Sequence, residues 1–152
     1  MKKNIKNFKI YQKTKIKKNI SDLIEIMQLL RDPKEGCAWD IKQTFSSIIP
    51  HTIEEAYEVS DAIERNNFDE LKNELGDLLL QVIFLSQIAK ENKYFDFDDV
   101  INSITNKLIQ RHPHIFEEKN NFQNEDQVKI QWEKIKKFEK NQKIKGYVID
   151  LR

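Results

Sequence analysis

The sequence contains few of the residues that interrupt helices. Only 3 glycines and 3 prolines occur among the 152 residues, and both residue types are unfavourable inside a helix. Their scarcity, together with a hydrophobic fraction of 39%, predicts an all-α fold, a bundle of about five helices. The length is that of one domain that can bury a real core.

Cysteines and long apolar runs are also scarce. The single cysteine, Cys37, excludes an internal disulfide and is compatible with a reducing compartment. No apolar run approaches the roughly 18 residues that span a bilayer, and the first residues lack the apolar core of a signal peptide. We therefore expect a cytoplasmic protein that does not associate with membranes.

Positive and negative charges nearly cancel, giving a formal net charge of +1, so no overall attraction to nucleic acid is expected. Residues 1–18 nevertheless contain eight lysines and no acid. Such an arm can bind nucleic acid, but lysine is common throughout the chain, which indicates a compositional bias. We divide the sequence into a basic arm (1–18), a helical domain (19–144) and a C-terminal tail (145–152).

Acidic residues are concentrated in the stretch TIEEAYEVSDAIERNNFDELKNELGD, residues 52–77. Two pairs stand out in it, Glu55 with Glu58 and Glu74 with Asp77. The members of each pair are three residues apart, which places them one turn apart on one helix face. If the two helices face each other, the four carboxylates form a cage of oxygen ligands.

Carboxylates crowded in this way repel one another unless a cation or protons neutralise them. Oxygen ligands alone favour a hard divalent ion, and Mg²⁺, with Mn²⁺ as a substitute, suits them better than zinc. A di-iron carboxylate bundle would need a Glu-x-x-His repeat, whereas Glu58 and Asp77 occupy the corresponding positions. Acids on a solvated helix face remain the simpler alternative.

Local signals place the helices. The first is predicted from about Ser21 to Arg31, with Ser21 as its N-cap, and a loop from Asp32 to Pro50 follows. The second begins with Thr52 as N-cap and Glu55 at the spacing of a capping box, a role that needs no metal. Its predicted buried stripe, which Glu55 and Glu58 would border, comprises Ile53, Ala56, Tyr57, Ser60 and Ile63.

Three more helices are predicted, beginning at Phe68 or Asp69, capped by Asp96 or Asp98, and spanning about Glu125 to Lys140. Gly76, inside the third helix, predicts the close approach of a backbone, a metal or a second helix. The segment His112-Pro113-His114 is a poor zinc site without further ligands and predicts a turn with a local histidine hydrogen bond.

These motifs resemble the signature of the MazG-type nucleoside triphosphate pyrophosphohydrolases, an all-α family. E-E-x-x-E at Glu54 to Glu58 and E-x-x-D at Glu74 to Asp77 carry the resemblance, with LRDPKEGCAWDIKQTF before them and RHPHIF after them. The similar region covers roughly residues 20–137. It is similar to one repeat of the two-repeat members, since a second E-E-x-x-E does not occur.

The resemblance implies a Mg²⁺-dependent hydrolase of nucleoside triphosphates that acts in nucleotide-pool housekeeping and forms a homodimer. It implies metal ligation by Glu55, Glu58, Glu74 and Asp77, with Glu54 or Glu58 in a catalytic role. Nucleotide or phosphate contacts are implied for Trp39, Lys42, Lys107, Arg111, Trp132 and Lys136. Judged alone, the tryptophans would be core residues and the lysines solvated, while Lys107 and Arg111 share a helix face that suits a triphosphate.

Three alternatives remain at this point. A relative directed to dUTP or dCTP would share the acids but accept few substrates. A catalytically silent dimerisation module would keep the fold without turnover. A nucleic-acid binder would use the basic arm and lose its affinity with added salt.

Overall fold

The structure is a computed structural model and describes residues 17–117 and 124–149. Within these residues the chain forms seven helices and no strand, which confirms the predicted all-α fold. Five helices are long, as predicted, and two are short additions. The helices are α1 (Ile20–Leu30), α2 (Ala38–Lys42), α3 (Phe45–Glu64), α4 (Phe68–Glu91), α5 (Phe97–Arg111), α6 (Pro113–Phe116) and α7 (Glu125–Ile149).

The chain divides into two compact units, with α1 to α4 in unit 1 and α5 to α7 in unit 2. Most of the predicted basic arm, up to residue 16, lies outside the described residues, as do residues 150–152 of the predicted tail. Helix α7 continues past the predicted end of the helical domain. No helix in the described part of the chain is long and apolar enough to cross a membrane. The predicted domain boundaries and the cytoplasmic location stay predictions.

Helix α1 is capped by Asn19 and not by Ser21 as predicted. The Asn19 side chain accepts hydrogen bonds from the N–H groups of Ser21 and Asp22, and Asp22 accepts one from the Asn19 N–H at 2.8 Å. This reciprocal pair is a capping box. The prediction of Ser21 was wrong because Ser21 already lies inside the helix. Helix α1 packs on α4 and buries Met27.

Helix α3 begins at Phe45, ahead of Pro50, so the predicted start at Thr52 is wrong. The Thr44 side chain accepts from the Ser47 N–H, and the Ser47 hydroxyl accepts from the Thr44 N–H at 2.9 Å. This capping box starts the helix early, and Pro50 is tolerated inside it although it has no N–H to donate. The predicted loop of residues 32–50 thus contains α2 and the first six residues of α3.

The earlier start of α3 changes the role that can be assigned to Glu55. Thr52, inside the helix, donates its hydroxyl to the Ile48 carbonyl oxygen at 3.1 Å. Glu55 therefore lies within the body of the helix, where it cannot act in a capping box. The capping-box role, which would have needed no metal, is therefore removed.

A tight turn joins α3 to α4. Arg65 caps α3, Asn66 has a left-handed backbone with φ 53°, and the Asn67 N–H donates to the Ala62 carbonyl oxygen at 3.0 Å. This pattern is a Schellman motif. Asn67 at once caps α4 by accepting from the Glu70 N–H at 3.2 Å. The two helices pack side by side as an antiparallel hairpin.

Helix α3 buries a different stripe from the predicted one. The side chains turned inward are Ile48, Thr52, Glu55, Val59 and Ala62. The predicted stripe is exposed, and Tyr57 is 73% exposed. The prediction was wrong because α3 has two apolar faces and α4 covers the other one. Glu55 consequently lies within the buried stripe and not at its border.

Helix α4 supplies most of the core of unit 1. Its buried residues are Gln81, Ile83, Phe84, Ser86, Ile88 and Ala89. Its apolar face is wider than this core, because Leu75, Leu79 and Val82 remain 38% to 49% exposed. Each helix of the hairpin therefore presents one apolar stripe to the core and a second one to its surroundings.

In unit 2, α5 packs against α7, and α6 follows α5. Helix α5 begins directly after Asp96, one of its two predicted caps. Arg111 at its end donates to both carboxylate oxygens of Glu139 on α7, at 3.3 and 2.7 Å. His112 Nδ1 donates to the Leu108 carbonyl oxygen at 2.6 Å, which confirms the predicted local hydrogen bond.

Candidate active site

Three predicted metal ligands meet on the α3–α4 hairpin. Because the chain reverses at Asn66, residues equally far from it along the chain face each other. Glu58 therefore faces Glu74, and Glu55 faces Asp77. One carboxylate oxygen from each of Glu55, Glu58 and Glu74 lies within 4.8 Å of the other two. We call these three residues the carboxylate group.

Glu55 is the most confined member of the carboxylate group. Its Oε2 atom is buried and has no hydrogen-bond partner among the described residues. Burial raises the pKa of Glu55, and the negative charges of Asp77, Glu58 and Glu74 raise it further. A buried carboxylate oxygen that is left unpaired is costly. A cation or a proton at this oxygen would relieve that cost.

Glu74 is disfavoured in its ionised form for the same reasons as Glu55. Burial raises the pKa of Glu74, and Glu58 raises it further through its charge and through a hydrogen bond between the two carboxyl groups. Two adjacent carboxyl groups do not both ionise easily without a counter-charge. Protons and a cation would therefore compete for the same oxygens.

Asp77 stands at the edge of the carboxylate group. It is not among the residues whose oxygens converge within 4.8 Å. Its charge is nevertheless the largest electrostatic contribution to the raised pKa of Glu55, after burial. The structure thus brings three of the four predicted ligands together and places the fourth within electrostatic reach.

The residues present fit a hard divalent cation. The carboxylate group offers only oxygen ligands, which suits Mg²⁺ or Mn²⁺ better than zinc. It also contains the unpartnered buried oxygen of Glu55. Three protein ligands would leave coordination positions for waters and for phosphate oxygens, as is usual for Mg²⁺.

Glu54, predicted to act in catalysis, lies outside the carboxylate group. Its side chain is 63% exposed, and its Oε2 lies 3.9 Å from His51 Nδ1 on the same helix. Its charge still contributes to the raised pKa of Glu55. Glu54 is therefore a neighbour of the carboxylate group that remains accessible from solvent.

Helix α2 places Trp39 beside the hairpin. The Trp39 ring meets the His51 ring edge-on, with centroids 5.9 Å apart, and the buried Phe84 ring at 6.4 Å. His51 precedes Glu55 by one turn of α3, so Trp39 contacts a residue that neighbours the carboxylate group on that helix. Trp39 is 53% exposed, so the prediction of a core residue was wrong. Lys42, on the same short helix, is exposed.

The other four predicted nucleotide contacts belong to unit 2. Lys107 is exposed on α5, and Arg111 stacks over Trp132 with Cζ 5.4 Å from the ring centroid. Glu139 already accepts from the guanidinium of Arg111, and Lys136 forms an ion pair within α7. Their predicted contacts with nucleotide stay predictions.

Two residues of this region escaped the sequence reasoning. Arg31 pairs with Glu91, 60 residues away, a separation that leaves no local pattern. The predicted cap at Thr52 leaves His51 outside the helix. The capping box of Thr44 and Ser47 would have placed His51 inside α3.

Known proteins share this region. A family profile described as the MazG nucleotide pyrophosphohydrolase domain matches residues 43–116. This span contains all of α3 and α4, and with them every residue of the carboxylate group.

Two curated relatives cover more of the chain. The nucleoside triphosphate pyrophosphohydrolase of Escherichia coli (strain K12) is 50% identical over 131 residues, which are 86% of this chain and 49% of that protein. The nucleoside triphosphate pyrophosphohydrolase/pyrophosphatase MazG of Thermotoga maritima is 48% identical over 122 residues, 80% of this chain and 46% of that protein. The chain spans about half the length of these relatives.

A solved structure shares the fold. The crystal structure of a mazG-related protein from Thermotoga maritima superimposes with a TM-score of 0.64 at 24% identity, covering 78% of this chain and 99% of that one. The profile match and the two curated relatives confirm the resemblance that the acidic motifs carry. Residues 43–116 of this chain therefore match the MazG nucleotide pyrophosphohydrolase domain family.

Proposed function

We propose that this chain is a nucleoside triphosphate pyrophosphohydrolase that converts NTP or dNTP and water to NMP or dNMP and diphosphate. The carboxylate group, with the unpartnered buried oxygen of Glu55, carries the proposal. The names of the curated relatives support it. We propose Mg²⁺ as the metal, with Mn²⁺ as a substitute, because the ligands are all hard oxygens.

Glu55, Glu58 and Glu74 would hold the metal, with Asp77 adding negative charge at the edge. When bound, the metal would neutralise phosphate oxygens and make an attacking water more acidic. The water oxygen bonds to the α-phosphorus, and the bond from that phosphorus to the oxygen bridging to the β-phosphate breaks. Diphosphate leaves with that oxygen. The proton lost by the water passes to Glu54 or to a carboxylate of the group.

The surroundings of the carboxylate group provide contacts for the nucleotide. Trp39, half exposed and in contact with His51, one turn before Glu55, offers a ring on which a base can stack. Lys42 offers a point charge to a phosphate. Lys107, Arg111, Trp132 and Lys136 are proposed to contact the nucleotide by analogy with the family. For Arg111 such a contact requires that a phosphate replace Glu139 as the acceptor of its hydrogen bonds.

Diphosphate release from a panel of NTPs and dNTPs in the presence of Mg²⁺ tests the proposal. The rate of diphosphate release is expected to fall about 100-fold or more in Glu58→Gln and in Glu74→Gln. Mutation of residues that only support metal ligands already lowers metal affinity or activity by about 10–100-fold. Glu64→Gln is the matched control, because Glu64 is an exposed acid of the same helix outside the group. Circular dichroism verifies that each variant remains folded.

The panel also separates the alternatives. A single strong substrate would indicate a relative with narrow specificity. A folded parent that releases diphosphate from no nucleotide would refute the proposed activity. It would favour the silent module, an alternative supported by the fact that the chain spans only 49% of the Escherichia coli relative.

We also propose that two copies pair through the uncovered apolar stripes of the hairpin. These stripes consist of Ile49, Ile53 and Tyr57 on α3 and of Phe68, Leu75, Leu79 and Val82 on α4, each 38% to 73% exposed. Apolar surface of this kind marks interaction sites. At Gly76 no described atom beyond its own stretch of helix lies within 4 Å of the position that a Cβ would take. We propose the second copy as the predicted close neighbour.

Light scattering tests the pairing. Tyr57→Lys is expected to convert a dimer into a monomer, because it places a charge in the middle of the apolar stripe. Tyr94→Lys is the control, since Tyr94 is 69% exposed but lies outside the hairpin. A parent that is monomeric at micromolar concentration would refute the pairing.

A further inference from the structure

We infer that Arg31 is a positioning residue that holds α2, and with it Trp39 and Lys42, beside the carboxylate group. This inference rests on the proposed function, because it concerns how the nucleotide is bound during that reaction.

The guanidinium of Arg31 joins three helices. Its side chain is only 7% exposed, although it starts from the C-cap of α1. Nε and Nη2 donate to the two carboxylate oxygens of Glu91 on α4, at 2.8 and 2.7 Å. Nη1 donates to the carbonyl oxygens of Asp40 and Gln43, at the end of α2. Loss of this one side chain would therefore remove the hydrogen bonds that tie the end of α2 to α1 and α4.

Helix α2 has few other contacts that fix it. It has five residues, of which none is buried, and its N-cap, Cys37, makes no side-chain cap bond in the described part of the chain. Gln43 adds one link, since its amide donates to the Trp39 carbonyl oxygen at 2.9 Å and its oxygen accepts from the Ser47 hydroxyl. The end of a helix leaves carbonyl groups without intrahelical donors. Arg31 supplies a donor to the carbonyl oxygen of Gln43, the C-cap of α2, and a second donor to that of Asp40, which also accepts from the Gln43 N–H.

The chemistry of Arg31 suits this position. A planar fork of donors can bind a carboxylate at two points while a third nitrogen reaches other acceptors. The hydrogen bond from Arg31 lowers the pKa of Glu91, which favours the ionised carboxylate that both donors need. A lysine would bring the charge without the fork, and it is expected to hold α2 only in part.

Phe84 connects this arrangement to the site. Arg31 Cζ lies 5.5 Å from the centroid of the Phe84 ring, and Trp39 meets the same buried ring edge-on. None of these contacts involves Glu55 or its partners in the carboxylate group. Releasing α2 is therefore expected to weaken nucleotide binding while the chemical step is largely retained.

Kinetics and hydrogen exchange test the role. Arg31→Ala is expected to raise KM about 10-fold, the order that stacking of one base on an aromatic ring supplies, with kcat within about threefold of the parent. Amide exchange in residues 38–43 should accelerate while the core of α4 stays protected. Arg31→Lys should give a KM and an amide exchange rate in residues 38–43 that lie between those of the parent and of Arg31→Ala. Arg65→Ala is the control, because Arg65 pairs with Asp61 and Glu70 at the hairpin turn and should leave KM and α2 exchange unchanged.

The results separate this role from a purely structural one. A kcat that falls only as much as the fraction of folded protein, with KM within twofold of the parent, would overturn the inference. Amide hydrogen exchange in α2 that is unchanged by Arg31→Ala would overturn it as well. If Arg31→Ala does not fold, Glu91→Gln, which removes the two-point partner, is measured in its place. If the parent releases no diphosphate, the proposed function fails and this role fails with it. An active parent with unchanged KM overturns only the role of Arg31.

Discussion

The same substitution, glycine to alanine, is expected to have opposite effects on folding at Gly36 and at Gly76. An added Cβ at Gly36 would collide with the carbonyl oxygen of Leu30 and lie 2.5 Å from that of Asp32. At Gly76 no described atom lies within 4 Å. Neither of these two described glycines has a positive φ, so the difference arises from their neighbours.

The atoms around Gly36 cannot move freely. The Leu30 carbonyl oxygen accepts from the Cys37 N–H at 2.8 Å, and the Asp32 carbonyl oxygen accepts from the Gly36 N–H at 2.9 Å. Overpacking typically costs 1–3 kcal/mol, and disturbing one such hydrogen bond costs about 1 kcal/mol. We expect Gly36→Ala to lower the free energy of unfolding by about 2–3 kcal/mol. Gly76→Ala should raise it by about 0.5–1 kcal/mol, because alanine is the better helix former.

Urea unfolding followed by circular dichroism, with EDTA and at several protein concentrations, measures both effects. A Gly36→Ala variant as stable as the parent would refute the steric argument. A Gly76→Ala variant that is less stable than the parent at all concentrations would refute the open surroundings of that residue. If Gly76→Ala stabilises the chain but abolishes pairing, the close neighbour of Gly76 is the second copy.

Two further predictions concern pH and helix capping. In EDTA, the free energy of unfolding should fall as pH rises from about 4.5 through the raised pKa values of Glu55 and Glu74, because the folded state binds those protons more tightly than the unfolded state. Unfolding at pH 5 and pH 8 measures this, and saturating Mg²⁺ should remove the decline; a rise with pH in EDTA would contradict the raised values. Thr44→Ala should lower the free energy of unfolding by about 1 kcal/mol. Thr52→Ala should change it by less than about 0.5 kcal/mol, because the higher helix propensity of alanine offsets the lost hydroxyl bond inside α3. Equal losses in the two unfolding curves would contradict the assignment of Thr44 as the cap.

The meeting of the acids could be predicted from the sequence because it depends on local features. The three-residue spacing within each pair and the short break at Asn66 and Asn67 together bring one pair opposite the other. The contact between Arg31 and Glu91 depends instead on how α1 packs on α4, and no spacing in the sequence reports it. The sequence therefore predicts the meeting of the acids, which follows from local spacing, but not the Arg31–Glu91 pair, which follows from the packing of distant helices.

The buried face of α3 could not be predicted for a related reason. One apolar stripe of α3 contains Ile53 and Tyr57, and the other contains Ile48 and Ala62. Periodicity favours the first because its side chains are larger and its positions carry no acid. The turn at Asn66 determines which stripe meets α4, and it selects the second. The start of α3 was missed similarly, because Pro50 and Thr52 imitate an N-terminus that Thr44 and Ser47 form earlier.

The selected stripe contains Glu55, and this is hard to explain by folding alone. The same turn that buries Glu55 places it opposite Asp77, so the hairpin gains a buried, unpaired carboxylate oxygen and a like charge facing it. A ligand that binds only the folded chain can offset such a cost, and a metal at 100 times its Kd would contribute about 2.7 kcal/mol. Stability and activity should therefore diverge at this residue. Glu55→Gln should make the metal-free fold more stable at neutral pH, while the stabilisation by Mg²⁺ and the release of diphosphate are lost together. A variant that loses stability without metal would instead show that Glu55 supports the fold by itself.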